Sequence, residues 1–329
     1  MFEKRKHHSK KHNIEHEESI SKLKAYNDLH KAIQTVKMDK TTPFKAVLNS
    51  RRRNHASNSA HRSRNHLFYT ALNYYSDLSN SELIRKIAGY KKKNTTFEIL
   101  FSSAPEDQEN QTIPDSFDWR EKGGVTKVKS QLLNLKTDCG ACWAFAVTGA
   151  IEGHVFVETG ELNSLSEQNL IDCSGDGCDG GFPLHGFQYV LENKGIALGV
   201  KYPYTAVEST CKYSEDKKGA EIKGFMAIKV GDENEMKRII ATKGPIACSV
   251  HAGIDTFIQY KNGIYNDDEC KKGDLDHSIL VVGYGSENGH DYWIIKNSWG
   301  EGWGQGGYMK LLRNDNMCHI ADECSFPIV

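Results

Sequence analysis

The chain has 329 residues, 38% hydrophobic and 26% charged, enough for one large domain or two smaller ones with ordinary cores. Its net charge of −1 hides a division: residues 1–100 carry 21 Lys and Arg against 9 Asp and Glu, and the rest carries 21 against 34. No apolar run is long enough to cross a membrane as a helix, and nine cysteines exceed what core packing uses, which points to disulfides and an oxidising compartment.

Residues 1–17 are charged and read as a disordered tail. Met1-Phe2-Glu3-Lys4 opens without the apolar stretch of a signal peptide, so the start reads as incomplete or misassigned. From Glu18 an amphipathic pattern sets in, with Leu23, Tyr26, Leu29, Ile33 and Val36 at helical spacing. Residues 51–66 form a basic Ser/Asn/His-rich insert without periodicity. It has too little aromatic interleaving for a nucleic-acid surface, and none is expected. Asn94-Thr95-Thr96 and Asn110-Gln111-Thr112 are glycosylation sequons if the protein is secreted. Pro105 to Gln111 is polar and accessible to cleavage.

Cys142 opens an apolar run ending at Gly160, with Phe145, Ala146, Gly149, Ala150, Gly153 and Val157 at spacings of three and four, a buried helix. A second helix runs from Leu165 to Cys173, with Ser164 or Ser166 and Glu167 as capping candidates. Cys178-Asp179-Gly180-Gly181-Phe182-Pro183 reads as an irregular glycine-rich turn. After Ala220 the texture becomes β-like, as in Ile246–Val250 and Ile279–Gly283.

Three stretches carry chemistry. A cysteine at a helix N-terminus faces unpaired N–H groups and the positive end of the helix dipole, which favour thiolate. Cys139-Gly140-Ala141-Cys142 places one there, although the same spacing also suits a redox pair or half a zinc site. Leu275-Asp276-His277-Ser278 supplies an imidazole to share the proton. Asn297-Ser298-Trp299-Gly300 supplies an amide to orient it.

In this order the three stretches resemble the papain family of cysteine proteases, most closely its cathepsin L-like branch. The likeness extends from about Ala71 to the C-terminus, with Asn73-Tyr74-Tyr75-Ser76-Asp77 close to the family's Asn-x-Phe-x-Asp prosegment pattern. It is fainter from Glu18, where Glu18, Lys22, Tyr26, Leu29, Ile33 and Lys37 fall at the spacings of a prosegment helix and Glu18 and Ile33 match in identity. The resemblance implies an α+β, two-lobed fold: a helical lobe carrying Cys142 and an antiparallel β-barrel-like lobe carrying His277 and Asn297. A mainly helical inhibitory prosegment over 18–110 would precede a peptidase domain over 113–329. Ile113-Pro114-Asp115 resembles a mature start, so the cut is expected within residues 108–113.

By the resemblance, Cys142 is the nucleophile, His277 the proton carrier and Asn297 its orienter, with Trp299 shielding that bond. Gln131 is the oxyanion donor. Leu132 to Lys136 then read as a five-residue insertion between Gln131 and the nucleophile, which leaves a catalytically impaired binding protein as the alternative. Gly180, Gly181 and Asp276 would meet the substrate backbone. Phe182, Pro183, Ser249, Leu275 and Ser278 would line the pocket for the second residue before the cut bond (P2), with Glu323 at its base. A carboxylate there suits Arg as well as Phe or Leu. The implied disulfides are Cys139–Cys178, Cys173–Cys211 and Cys270–Cys318; Cys248 reads as a buried thiol and Cys324 is left over. The partners implied are protein or peptide substrates, the protein's own prosegment and cystatin-like inhibitors, acting on a monomer in a lysosomal or extracellular setting. No metal, organic cofactor or membrane is implied.

Overall fold

The computed structural model describes Asn58 and residues 66–76, 78, 80–95, 97–102, 112–133 and 138–329. All lie in one compact unit, Ala46–Val329. The charged tail, the amphipathic stretch from Glu18, nearly all of the basic insert, the cleavage stretch Pro105–Gln111 and the centre of the insertion after Gln131 lie outside the described residues.

Helix α2 (Cys142–Thr159) is the longest helix described; the short helix α1 (Asn80–Ile87) precedes it in the chain. Every residue of α2 from Cys142 to His154 is buried except Phe145. The helix is therefore wrapped on all sides, as expected of one apolar all round. Spacing alone placed Val157 on the buried stripe, yet it is 42% exposed, because the covering layers end one turn earlier. Two glycines let those layers come close: a Cβ at Gly149 would lie 2.7 Å from Leu280, and one at Gly153 would lie 2.5 Å from the Pro245 ring. Gly160 ends the helix in the left-handed region at φ 78°, its N–H bonding Phe156 O.

Two shorter helices complete this half. In α3 (Glu167–Cys173) the Ser166 side chain caps Asn169 N–H at 2.9 Å. Helix α4 (Pro183–Glu192) starts with Pro183, whose missing N–H costs nothing at that position. Trp143, Val147, Ile151, Leu170 and Phe187 form the core between them. Each such side chain contributes roughly 1.5–3 kcal/mol on burial.

The second half is a sheet of β1 (Phe68–Thr70), β2 (Phe117–Asp118), β5 (Gly224–Ala227), β6 (Ile246–Val250), β7 (Tyr260–Tyr265), β8 (His277–Glu287), β9 (His290–Lys296), β10 (Tyr308–Leu312) and β11 (Cys324–Ile328). Its order is β1-β7-β10-β9-β8-β6-β11-β5, with β2 beside β8; β3 (Ile196–Ala197) and β4 (Lys218–Ala220) pair separately. The sheet does not close into a barrel. Helix α5 (Glu233–Thr242), capped by Asp232, and the short α6 (Asp255–Ile258) pack against it. Residues 277–285 of β8 are all buried, as a strand covered on both faces requires. A second core, with Tyr265, Trp293, Ile295 and Trp303, lies on the side of β8 away from α2.

Four disulfides cross-link the chain: Cys139–Cys178, Cys173–Cys211, Cys248–Cys324 and Cys270–Cys318. The third corrects the expectation of a buried Cys248 thiol. Cys248 and Cys324 stand directly opposite on β6 and β11, a register that no sequence spacing discloses. Cys142 is the one free cysteine among the described residues.

Candidate active site

The site forms where the N-terminus of α2 meets the start of β8. Cys142 is fully buried, and its Sγ accepts the Ser278 N–H at 3.3 Å, one residue along β8 from His277. His277 Nε2 lies 2.9 Å from Asn297 Oδ1, which follows β9. An amide oxygen only accepts, so Nε2 carries the hydrogen. Asn297 Oδ1 also accepts Ser298 N–H at 2.7 Å, which fixes the amide's orientation. The Trp299 ring covers the imidazole at 4.7 Å between centroids and is itself 3% exposed.

Burial pushes the Cys142 thiol up to about 12, working against the Ser278 N–H, with the nearby Asp276 charge adding to the rise. Asp276 is also held above the ordinary carboxylate range by burial. Its carboxylate accepts Ala252 and Gly253 N–H at 2.7 and 2.9 Å, which partly offsets that rise. In this closed arrangement the thiol is a resting thiol.

Gln131 is fully buried. Its N–H bonds Ser298 O at 2.8 Å and its side-chain Oε1 accepts the Ser298 hydroxyl at 2.7 Å. Nε2 points toward Cys139 O at 3.5 Å and donates to Lys86 O at 3.2 Å. Of the residues that follow, Leu132 is buried and Leu133 is 54% exposed. Sequence reasoning did not find Ser298 as a partner, because its role depends on two loops meeting across 167 residues.

Residues 66–102 run along this site. Strand β1 adds antiparallel to β7. Tyr75, buried at 4% exposure, donates its hydroxyl to Trp299 O at 2.7 Å. Beyond α1, Gly89 and Tyr90 N–H both donate to Asp276 O at 3.0 and 3.1 Å. Lys91 N–H donates to Gly181 O at 3.0 Å, and Gly181 N–H to Gly89 O at 2.8 Å. Gly89 is required here, since a Cβ would lie 2.1 Å from Gly140 O. The Tyr90 ring meets Phe182 edge-on at 5.9 Å, and its phenol is pushed up by burial and by Glu323. Ion pairs join Lys86 to Asp138, Lys92 to Glu323 and Lys93 to Asp176.

Of the anticipated pocket residues, Phe182 and Glu323 lie beside Tyr90. Phe182 caps α4 and Pro183 opens it. Ser249 and Ser278 face each other across β6 and β8, hydroxyls 3.3 Å apart. Leu275 is half-buried just before β8. The Glu323 side chain is 18% exposed and its backbone O accepts Ser249 N–H at 3.0 Å. Gly180 has φ 105°, and a Cβ there would press on Gly89 O at 2.9 Å. Asp176, not singled out in the sequence, holds Phe182 N–H at 2.9 Å. The isolated Gly-Asp-Gly around it was the available signal.

Behind the site lies a buried ionic cluster also absent from the sequence reading. Lys129 contacts Glu152 at 3.0 Å and Glu167 at 2.6 Å, and Lys296, next to Asn297, reaches Thr126 at 3.0 Å. The two carboxylates outweigh burial and hold Lys129 above its ordinary value. Lys296, 8% exposed, is pulled down to about 8 by burial, with Glu152 opposing. Among the described residues no group of three or more His, Cys, Asp or Glu could hold a metal ion.

Residues 113–328 match the model of papain family cysteine proteases. Human cathepsin L2 is 43% identical over 279 residues, covering 80% of this chain and 79% of that protein. The cathepsin L-like peptidase of Aedes aegypti is 42% identical over 269 residues, 78% of each. Among solved structures, the digestive procathepsin L2 proteinase of Tenebrio molitor larval midgut superposes with a TM-score of 0.83 at 32% identity, over 93% of this chain and 99% of that one.

Proposed function

The chain belongs to the papain family of cysteine proteases, cathepsin L-like, and on that premise we propose that it is a thiol-dependent endopeptidase made as a zymogen and working through Cys142, His277 and Asn297. The observation that carries this reading is the free cysteine at the start of α2, held by Ser278 N–H beside an imidazole whose Nε2–H is committed to Asn297. That commitment leaves Nδ1 to exchange the proton. Cys142 Sγ attacks the scissile carbonyl carbon, and its proton passes to His277. His277 then gives the proton to the departing amine as the C–N bond breaks and a thioester remains. Water, deprotonated by the same imidazole, opens the thioester and restores the thiol.

The developing oxyanion is stabilised by Cys142 N–H and Gln131 Nε2. Support for Gln131 comes from the Lys86 carbonyl, which this amide already holds at 3.2 Å. Trp299 keeps water from the His277–Asn297 bond. The backbone of Gly89–Lys91, bonded to Gly181 and Asp276, marks the path of a substrate backbone. Residues 18–110 act as the inhibitory prosegment, cut within 108–113 to leave a peptidase domain from 113. Ion pairs of Lys86 with Asp138, Lys93 with Asp176 and Lys92 with Glu323 tie this prosegment to the peptidase domain. Four disulfides fit a lysosomal or extracellular setting, where a monomer acts on proteins and is open to cystatin-like inhibitors.

Tyr90 between Phe182 and Glu323, with Lys92 on the carboxylate, supports a P2 pocket that accepts Arg as well as Phe or Leu. Acid processing of the recombinant chain followed by peptide hydrolysis and mass-mapped alkylation tests the whole reading. Turnover lost in Cys142→Ala, with labelling at Cys142, is expected. Labelling without turnover would instead indicate an impaired oxyanion site and a binding role. An N-terminus of the processed form beyond Trp119 would refute the assigned cut.

A further inference from the structure

Glu323 sits on a short arc whose two ends are both tied covalently. Cys318 joins Cys270 at one end, and Cys324, the next residue after Glu323, joins Cys248 at the other. The pairing between β6 and β11 is only two residues long, Cys324 with Cys248 and Ser325 with Ala247. The disulfide is therefore on the last rung before the arc. Beyond it the arc keeps backbone bonds from Ser249 N–H to Glu323 O and from His251 N–H to Cys318 O, both at 3.0 Å.

The arc is not held by its own preferences. Asn316, Cys318 and His319 have φ of 43°, 55° and 63°, a left-handed region that side-chain-bearing residues keep only when their surroundings enforce it. Asn316 bonds Asp322 and Ala321 N–H at 2.8 and 2.9 Å, and His319 bonds Asp322 at 3.0 Å, but none of these contacts holds Glu323 itself. β11 is paired with β5 from Ser325 to Ile328, but Glu323 lies before that pairing, so Cys324 is the covalent anchor next to it.

We propose that the Cys248–Cys324 disulfide is a specificity-positioning element, which fixes Glu323 at the base of the pocket so that its carboxylate meets a substrate guanidinium. This rests on the reading that Glu323 faces the P2 side chain. A planar guanidinium gains from a carboxylate only when the two are held in register, whereas an aliphatic side chain is indifferent to where the carboxylate lies. Breaking the disulfide therefore penalises Arg and spares Leu.

The test compares kcat/KM of the processed enzyme on two peptides that differ only in Arg or Leu at P2, for wild type, Glu323→Ala and the double variant Cys248→Ala/Cys324→Ala. The double variant is expected to lose the Arg-over-Leu ratio by roughly tenfold or more, with Leu cleavage near wild type. Placing Glu323→Ala in the same background adds no further loss. An unchanged ratio, or Arg and Leu falling together, overturns the proposal and leaves the disulfide as a staple of the fold. If Glu323→Ala alone leaves the ratio unchanged, the pocket reading fails and the inference with it. Should the double variant not fold, Glu323→Asp decides: a held carboxylate withdrawn by one methylene loses the Arg preference, and retention of the preference refutes positioning.

Discussion

Removal of the prosegment should change the reactivity of Cys142 far more than exposure of its sulfur alone would. In the closed chain burial lifts the thiol from 9.0 to about 12. That rise leaves roughly a thousandth of the thiolate at any pH below 9, a cost of about 4 kcal/mol for the charged form. Thiolate is the nucleophile, so alkylation follows its population. The run from Lys86 to Tyr90 is bonded to Gln131, Asp276 and Gly181 across the site. Cutting it away admits water, which lowers the cost of the charge and leaves His277 to stabilise it. Iodoacetamide labelling at pH 7.5, mass-mapped to Cys142, should therefore be at least about a thousandfold slower in the intact zymogen than in the processed enzyme. Full denaturation of the zymogen should restore an ordinary cysteine rate. Comparable rates in zymogen and processed enzyme would refute the argument that the buried site stores its cysteine as a thiol.

Three further outcomes follow from single contacts. His154 is 6% exposed and is pulled from 6.5 to about 4 by burial, with Lys243 adding to the fall and its bond to Pro245 O opposing it. The unfolded chain takes the proton first, so this stability is complete above pH 6.5 and is lost as pH falls toward 4, by about 2 kcal/mol at pH 5. His154→Gln keeps an N–H for Pro245 O, 3.1 Å away, and should remove a drop in Tm of roughly 5 °C between pH 7 and pH 5; an unaltered pH profile would count against the assignment. Gly153→Ala gains about 1 kcal/mol in helix propensity but drives a methyl into the rigid Pro245 ring. A net loss of about 1–3 kcal/mol in urea unfolding is expected, and a gain would show that the contact yields. Ser298→Ala removes the hydroxyl that holds Gln131 Oε1, and should lower kcat about tenfold with KM unchanged; a pure KM effect would argue that Gln131 serves binding instead.

Much of the site was legible because its chemistry sits in contiguous words. Cys142 at the start of an apolar helix, His277 at the start of an apolar strand and Asn297 before Ser-Trp-Gly each carry their context with them. Local rules also offered Ser166, with Ser164, as a cap of α3 and ended the apolar run at Gly160, where the helix stops. They misplaced Val157, since helical periodicity reports which residues share a face but not how far along the helix the covering layers reach.

What the sequence by itself determined is therefore whatever depends on neighbours within a turn or a strand: the elements, the candidate nucleophile and its helpers in kind, and the family likeness. Tertiary structure decided everything that depends on register and closure. Cys248 and Cys324 face each other only because β6 and β11 pair in one register. Gln131 is held near the start of α2 by Ser298 from a loop 167 residues away and by the carbonyls of Lys86 and Cys139. The charges of Lys129, Glu152, Glu167 and Lys296, which a linear reading would leave on the surface, share one buried cluster beside Asn297. Charge and hydrogen-bonding capacity are written in each residue, but the partner that makes burial tolerable is chosen by the fold, often more than a hundred residues away.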